Sequence, residues 1–463
     1  MIVTVSNNIT ITDPTPEILT WCQTNLKIAN PDYAKKVRMG FWVGNTPTHL
    51  YLYEIHGSNL VIPYGCLKAI APLIKDATVQ SDFKPSVSVD YGNPIPLYPY
   101  QETAVRACVD GLYGILQSKA GSGKTQMGIA LIREYGKRAL WLCHTLDLVK
   151  QSKERAERYM DKNLLGLITE GKVNIGSGVT FATIQTMSKL DLTQYRDMWD
   201  VIIVDECHRV AGTPTAMTQF SKVLNSLSAR HKYGLSATVH RSDGMIVATY
   251  ALLGNVVYTV PDEAIADKVM RVGIKPIGTG VPISRACLNT DGTLNYTKLI
   301  TYLCENEERT SLIADCIFKE LKHSSLILSD RLEHLSNIID ALPLPLQEYA
   351  VMISGKMTSK KGKAEREQAL EDMRTGKKKY LFATYSLCKE GLDIPRLERL
   401  FMASPVGDYA VVTQSIGRIA RTFEGKADPI VYDFVDSIGY LQKRYKKRCS
   451  TYRKNDCYFL GGD

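Results

Sequence analysis

The sequence lacks the features that would place a protein in a membrane or outside the cell. Among its 463 residues, no apolar run approaches the roughly 20 residues that a transmembrane helix needs. The segment Met1–Thr10 has neither the basic start nor the long apolar stretch of a secretory signal peptide. Hydrophobic residues make up 44% and charged residues 23%, a globular rather than a disordered composition. We therefore expect a soluble, cytoplasmic protein with no membrane contact.

The eleven cysteines form no recognisable metal or disulfide pattern. There is no CxxC pair and no His/Cys cluster at zinc spacing. Cys143 lies inside an apolar run, which is typical of a small buried hydrophobic residue. Cys449 and Cys457 could pair, but a reducing cytoplasm argues against it. We expect neither a disulfide nor a structural metal.

Positive charge is concentrated at the C-terminal end. The net charge is +9, and the last 27 residues contain seven Lys/Arg against two Asp. Four tyrosines are interleaved with these basic residues. Basic side chains neutralise phosphates and aromatic rings stack on bases, so the segment 441–463 is predicted to bind nucleic acid through Lys446, Lys447 and Arg448. A solvated, disordered tail is the alternative interpretation.

Two stretches alternate apolar strands with helical patterns, which predicts an α/β fold with two mainly parallel sheets. Strands are expected in the first stretch at Gly114–Gln117, Ala139–Cys143, Val179–Ala182, Val201–Val204, Tyr233–Leu235 and Val256–Val260. In the second they are expected at Ser325–Leu328, Tyr349–Ile353, Lys379–Ala383, Arg399–Met402 and Pro429–Phe434. The predicted domains are an N-terminal α+β or β accessory module (1–93), two parallel-sheet domains (94–270 and 297–440), a Gly/Pro-rich linker with a hairpin between them (271–296) and the basic C-terminal tail (441–463).

The segment Ser118–Thr125 resembles a phosphate-binding loop. It follows a predicted strand and opens an amphipathic helix over Gln126–Tyr135, which is the context that such a loop requires. Glycines let backbone N–H groups surround phosphates, and a helix N-terminus favours negative charge. Lys124 is expected to reach the β- and γ-phosphates and Thr125 to bind Mg²⁺. Gly121, Ser122 and Gly123 complete the predicted nucleotide contacts.

A buried strand that ends in Asp205-Glu206-Cys207-His208 supplies the predicted catalytic acids. Ligands of α/β proteins bind at the carboxyl ends of such strands. Asp205 is expected to hold Mg²⁺, and Glu206 to orient or deprotonate the attacking water. A helix cap would explain Asp205 alone but not the whole tetrad.

Near the end of the second stretch, Arg418 and Arg421 are three residues apart and would share a face of one helix. A planar guanidinium can neutralise charge on a γ-phosphate in the transition state. Alone, the segment would more often be an ordinary surface helix, so its interpretation depends on the other motifs.

Together these motifs resemble those of superfamily 2 helicases of the DEAH/DExH type. The Asp-Glu-Cys-His tetrad resembles the DExH box, and the loop at Lys124 resembles its Walker A motif. In the first stretch, Pro99-Tyr100-Gln101 resembles the adenine motif, Trp141–Gln151 resembles motif Ia and Ala182–Thr186 resembles motif Ib. Gly234–Thr238, followed by Arg241–Gly244, resembles motif III and its sequel. In the second stretch, Ala383–Pro395 resembles motif V and Gln414–Arg421 resembles motif VI. The resemblance covers about Leu97 to Phe434, and within it the chain is most similar to phage UvsW-like helicases, with XPB-like and type III restriction motors also related.

The resemblance implies two RecA-like domains that hydrolyse ATP in the cleft between them. It implies Gln101 as the adenine contact, with Tyr98 at a position where relatives often have arginine. It adds Gly391 and Asp393 to the nucleotide site. Candidate residues for coupling hydrolysis to nucleic acid are His208, Ser236, Thr238 and Gln414. Candidate phosphate-backbone contacts of DNA are Thr145, Thr183, Gln185 and Thr384.

Three functions are compatible with this motor. The first is an ATP- and Mg²⁺-dependent DNA helicase or branch-migration enzyme acting on single-stranded, forked or branched DNA, together with phage or host replication and recombination proteins. The second is a duplex-DNA translocase with a restriction or defence partner, and the third is an RNA helicase. Related folds serve different tasks, so we expect the segments outside the motor to decide the substrate.

Overall fold

The computed structural model describes residues 1–84, 87–119, 121–210, 214–237, 244–265, 269–355, 357, 359–389 and 392–461. The chain forms two compact units. The first contains Met1–Lys119 and Gly123–Ala264, and the second contains Ala120–Ser122 and Ile265–Asp463. Among the described residues, no helix is long and apolar enough to cross a bilayer.

The strands of the first unit are β1 (Ile2–Val5), β2 (Asn8–Thr12), β3 (Lys27–Ala29), β4 (His49–Tyr51), β5 (Glu54–His56), β6 (Asn59–Pro63), β7 (Thr78–Ser81), β8 (Gly114–Gln117), β9 (Ala139–Cys143), β10 (Leu165–Thr169), β11 (Lys172–Asn174), β12 (Val179–Thr183), β13 (Val201–Asp205), β14 (His231–Ser236) and β15 (Val256–Thr259). Its helices are α1 (Pro16–Asn25), α2 (Pro31–Arg38), α3 (Leu67–Ile70), α4 (Pro99–Gly111), α5 (Lys124–Tyr135), α6 (Leu146–Ala156), α7 (Ile184–Met187), α8 (Pro214–Ser226) and α9 (Ile246–Leu253).

The strands of the second unit are β16 (Gly273–Gly278), β17 (Ser325–Ser329), β18 (Ala350–Ile353), β19 (Tyr380–Thr384), β20 (Arg399–Met402), β21 (Ile430–Val435) and β22 (Tyr458–Phe459). Its helices are α10 (Tyr296–Glu305), α11 (Glu307–Lys319), α12 (Leu332–Asp340), α13 (Leu344–Gln347), α14 (Lys360–Thr375), α15 (Tyr385–Lys389), α16 (Tyr409–Ile419) and α17 (Gly439–Lys454).

The first unit is built around a sheet with the order β11-β10-β12-β9-β13-β14-β8-β15. Every neighbouring pair is parallel except the β10–β11 hairpin at one edge. The strands β9, β12 and β13 are buried along their whole length, because helices cover both faces. Each of the six strands predicted from the sequence in this unit is present. The β10–β11 pair was not predicted.

The N-terminal module packs on this sheet domain. A second sheet, in the order β5-β6-β2-β1-β7, combines antiparallel pairs with one parallel pair. Its apolar core includes Val3, Ile9 and Leu60, and it continues into Tyr113 and Ala251 of the sheet domain. The module therefore has α+β structure and shares one core with the adjacent domain. Within the module, the neighbouring strands β4 and β5 belong to different sheets.

The second unit has a fully parallel sheet among the described residues, in the order β18-β19-β17-β20-β21-β16-β22. Its five predicted strands are present, and the chain therefore has the mixed α/β fold with two RecA-like domains. The prediction of a linker over 271–296 was wrong for Gly273–Gly278, which is the strand β16 between β21 and β22. The predicted turn lies further along, where Leu288 and Leu294 form an isolated bridge.

The basic segment at the C-terminal end does not form the disordered tail of the alternative interpretation, because it folds onto the second sheet. Helix α17 buries Leu441, Arg448, Thr451 and Tyr452, and the following strand β22 joins the sheet edge. Arg448 is only 2% exposed and donates to both carboxylate oxygens of Asp433 at 2.8 Å. The hydroxyl of Tyr452 donates to the same carboxylate at 2.6 Å. Arg448 therefore neutralises a buried acid, which removes it from the candidate DNA contacts.

The substitution Arg448→Ala should destabilise the second unit by about 3–5 kcal/mol, because it leaves the Asp433 carboxylate buried without its cation. All four tryptophans lie in the first unit, so tryptophan fluorescence reports that unit while far-UV circular dichroism reports both. In urea, the midpoint of the unfolding transition followed by dichroism should move to a lower urea concentration. The midpoint followed by tryptophan fluorescence should not change. The exposed neighbour Lys443→Ala is the control. A loss below about 1 kcal/mol would contradict a structural role for this ion pair.

Candidate active site

Five of the sequence motifs meet at one edge of the first sheet. The strands β8, β14, β13, β9 and β12 are parallel neighbours, so their carboxyl ends point the same way. The phosphate-loop segment follows β8, the acidic tetrad ends β13, and Ser236 ends β14. The segments that resemble motifs Ia and Ib follow β9 and β12. The sheet order therefore gathers side chains that are more than 100 positions apart in the sequence.

The loop before α5 has a backbone suited to surrounding an anion. Gly121 and Gly123 have φ angles of +90° and +81°, which favour glycine. Helix α5 begins at Lys124, so its free N–H groups face the loop. The Lys124 ammonium donates to the carbonyl oxygens of Ser118 and Lys119 at 3.2 and 3.4 Å. Lys124 is thus held across the mouth of its own loop.

Gln101 connects helix α4 to this loop. Its side-chain oxygen accepts from the Tyr98 backbone N–H at 3.0 Å, which caps the helix. The amide nitrogen lies so close to Gly123 that a Cβ built there would be 2.4 Å from it. Gln101 is 1% exposed, so the amide is fixed by the helix cap on one side and by the loop on the other. Its predicted contact with adenine remains a prediction.

The two acids of the tetrad have contrasting environments. Asp205 is buried at the end of β13, where it accepts from the Glu206 backbone N–H at 3.0 Å and from the Ser152 hydroxyl at 3.3 Å. Burial, and then the neighbouring Glu206 charge, raise the pKa of Asp205 to about 7, although Lys124 acts in the opposite direction. An anion in this position is therefore costly without a nearby cation. A bound divalent cation would supply that charge.

Glu206 occupies a left-handed backbone conformation, with φ of 50°. This turn directs the chain away from the strand, and the carboxylate lies 3.3 Å from Nδ1 of His208. The same His208 nitrogen is 3.1 Å from the Ser236 hydroxyl. The Ser236 carbonyl in turn accepts from the Ser118 backbone N–H at 3.0 Å. A close contact between Glu206 and His208, followed by hydrogen bonds through Ser236, therefore connects the acidic tetrad, the end of β14 and the start of the phosphate loop.

The candidate nucleic-acid contacts of the first unit engage partners within the protein. Thr145 caps α6 by accepting from the Leu148 N–H at 3.4 Å. The Gln185 amide donates to the His144 carbonyl at 2.7 Å. Thr183 is 7% exposed and donates to Thr186 at 2.9 Å, so its side chain is a local turn contact. These contacts fix the loops, and the roles of the three residues toward DNA remain predictions.

In the second unit, the two arginines do not share a helix, contrary to the sequence prediction. Helix α16 ends at Ile419, so Arg418 is helical while Arg421 lies beyond the end and bridges to Val269. Arg418 donates to the Leu392 carbonyl at 2.8 Å. Arg421 forms an ion pair with Asp393. The predicted motif V and motif VI residues are therefore in direct contact.

The remaining predicted residues of this unit lie on neighbouring elements. Gln414 is half-buried within α16, and Thr384 ends β19, where its hydroxyl is 2.8 Å from that of Ser386. Ala120 of the phosphate loop, Thr238, Arg241–Asp243 and Gly391 lie outside the described residues.

Two residues that support the site were not identified from the sequence. Ser152 donates to Asp205, but nothing in its helical context indicates this contact. Lys426 donates to the carbonyls of Pro395, Ile419 and Arg421, at 2.7 to 3.0 Å. Burial lowers the pKa of Lys426 to about 8. It holds together the end of α16 and the segment after Asp393, and no local pattern predicts such a long-range contact.

Comparison with known proteins identifies the family. The model of the Type III restriction enzyme, res subunit, matches residues 94–241, and that of the helicase conserved C-terminal domain matches residues 308–423. Together they cover more than half of the chain. The chain is a superfamily 2 helicase. It is therefore an ATP-dependent enzyme that acts on nucleic acid.

Individual relatives of the helicase are distant but cover most of its length. The probable helicase D10 of Escherichia phage T5 is 26% identical over 343 residues, or 74% of this chain and 72% of that one. The DNA 3'-5' translocase XPB2 of Sulfurisphaera tokodaii is 24% identical over 371 residues, which cover 72% of this chain and 80% of that one. The ATP-dependent type ISP restriction-modification enzyme LlaBIII, solved bound to DNA, has a TM-score of 0.57 at 14% identity, covering 84% of this chain and 32% of that one. This last likeness shows the shared fold.

The substitution Glu206→Gln should abolish ATP turnover in the helicase while preserving ATP binding. The amide keeps the size of the carboxylate but cannot act as a base toward water. Steady-state ATPase activity measures turnover, and equilibrium binding of a fluorescent ATP analogue measures affinity. The exposed Glu154→Gln on α6 is the matched control. Turnover near that of the unsubstituted enzyme would remove Glu206 from the catalytic role.

Proposed function

We propose that the helicase couples Mg²⁺-ATP hydrolysis to unwinding or branch migration of forked or branched DNA in phage replication, recombination or repair. The observation that carries the proposal is a basic helix face fixed to the second unit. Lys443, Lys446, Lys447 and Lys454 are exposed along α17, at the spacing of one helical face. The opposite face is buried through Arg448 and Tyr452. A rigid row of ammonium groups suits the phosphates of a nucleic-acid backbone.

The described residues at the carboxyl edge of the first sheet fit ATP and Mg²⁺. The two left-handed glycines and the start of α5 would surround phosphates, with Lys124 at the β- and γ-phosphates. Thr125 and Asp205 would hold Mg²⁺, which neutralises charge on the transferring phosphoryl group. The raised pKa of Asp205 supports this assignment, since a cation removes the cost of its buried charge. Glu206, oriented beside His208, would then position the attacking water.

We assign Arg418 and Arg421 to the stabilisation of transition-state charge. Arg421 already has an anionic partner in Asp393, so it would exchange that carboxylate for the γ-phosphate during hydrolysis. The set of hydrogen bonds through His208 and Ser236 would transmit the state of the nucleotide to the neighbouring loops.

A second candidate function is translocation on duplex DNA with a partner. The similarity to the DNA 3'-5' translocase of Sulfurisphaera tokodaii, and the match of residues 94–241 to the res subunit of type III restriction enzymes, favour it. Both candidates use the same ATPase chemistry, so only the preferred DNA structure distinguishes them. An RNA helicase is the least favoured alternative.

The ATPase activity should depend on DNA structure, with forks and four-way junctions stimulating it most. The measurement is steady-state ATPase with Mg²⁺ against no nucleic acid, single-stranded DNA, duplex DNA, a fork, a four-way junction, and single- and double-stranded RNA. Stimulation by plain duplex alone would favour the translocase, and stimulation by RNA alone would overturn the DNA proposal. Glu206→Gln is the negative control throughout.

The double substitution Lys446→Glu with Lys447→Glu should weaken DNA binding and flatten its dependence on salt. Each phosphate contact releases counterions, so losing two contacts should reduce the slope of log affinity against log salt by about 2. Substitution is preferable to truncation, because removing α17 would also remove the buried Arg448–Asp433 pair. The matched control replaces Lys361 and Lys363 of α14 in the same way. An unchanged slope would contradict the role of the α17 face.

A further inference from the structure

An exposed segment of the N-terminal module has a shape that the ATPase chemistry does not explain. Residues Asn30–Thr48, called the finger below, form an excursion between the paired strands β3 and β4. The two ends are closed by a backbone bond from Asn30 to Thr48 at 2.9 Å and by the Asn30 amide, which donates to the Pro47 carbonyl at 2.8 Å. The finger consists of helix α2 and the turns that follow it.

The tip of the finger presents two aromatic rings to solvent. Phe41 is 64% exposed and Trp42 is 87% exposed. The Trp42 ring nevertheless lies against the backbone of Gly44, where a Cβ would be 2.8 Å from the ring. Internal bonds fix the tip, because the Phe41 N–H donates to the Lys36 carbonyl at 2.9 Å and the Lys36 ammonium donates to Thr46 at 2.7 Å. The rings are thus held outward by an ordered turn, which lowers the entropy lost on binding.

Charge around the tip favours nucleic acid as its partner. Lys35 and Arg38 are exposed on α2, and Lys27 lies 5.9 Å from the ring of the exposed Tyr51 at the base. Asp32 is the single acidic residue in the sequence from 27 to 51. Exposed aromatic rings among basic side chains match the combination that binds unpaired bases and their phosphates. An apolar protein partner would not require these cations.

The base of the finger is anchored to the helices that follow two motifs of the first unit. Ile28 of β3 packs in one apolar cluster with Met217, Met245 and Ala248. Met217 belongs to α8, which follows the acidic tetrad, and Ala248 belongs to α9, which follows the segment resembling motif III. The base of the finger therefore packs against the helices that follow the acidic tetrad and the segment resembling motif III.

We propose that Trp42, with Phe41, stacks on an unpaired or terminal base at a branch point, while Lys35 and Arg38 bind the flanking phosphates. The inference rests on the proposed function and specifies which part of the N-terminal module recognises the branch. Stacking needs an exposed base face, which a continuous duplex does not offer. The finger thus distinguishes branched from uninterrupted DNA without reading sequence.

The test measures equilibrium binding of the full chain, without nucleotide, to two fluorescently labelled DNAs at one salt concentration. One is a fork with unpaired arms, and the other is a duplex whose two ends are closed by covalent linkers. Trp42→Ala should weaken binding to the fork by about tenfold or more and leave binding to the closed duplex unchanged. Trp42→Phe should retain most of the affinity, because it keeps a ring. Leu344→Ala, at a 77% exposed position of the second unit, is the control.

Two results would overturn the inference. One is a Trp42→Ala affinity for the fork within twofold of the unsubstituted chain. The other is an equal loss for the closed duplex, which would assign Trp42 to the fold of the module rather than to a base. The proposed function fails separately, when the unsubstituted chain binds neither DNA.

Discussion

The structure of the candidate site depends on the parallel direction of neighbouring strands. Because β8, β14, β13, β9 and β12 run the same way, each crossover returns the chain to a common edge. Asp205 and Ser236 end β13 and β14, and Lys124 begins the helix after the loop that follows β8, so residues distant in the sequence share that edge. Burial at the edge makes the Asp205 charge costly. The same burial that stabilises the sheet would therefore favour a cation beside Asp205.

The parts of the fold that sequence reasoning recovered have local signals. Apolar runs flanked by turns predicted β9 and β20 with their observed bounds, since a strand covered on both faces must be apolar throughout. The phosphate loop and the acidic tetrad could also be predicted from the sequence, because both follow such strands directly. What the sequence did not supply is the order of strands in the sheet, which is a long-range property and which places these motifs together.

The errors have a common physical origin. Strand β16 contains Gly273, Pro276 and Gly278, which favour turns, yet its neighbours β21 and β22 supply the pairing that local propensity does not. Arg421 was expected on a helix, but α16 ends two residues earlier, at Ile419. There the Lys426 ammonium donates to the Ile419 carbonyl. In each case a contact made in the folded chain overrides the local pattern.

Composition misled most clearly in the basic segment at the C-terminal end. Seven positive charges suggested a nucleic-acid-binding segment that includes Arg448, but a count of charges does not reveal which face of a helix each occupies. Once Asp433 is buried in β21, it requires a cation, and Arg448 satisfies it at 2.8 Å. That pairing orients α17, and the orientation decides that Lys446 and Lys447 face solvent. A buried ion pair that cannot contact DNA is thus what makes a basic surface available to it.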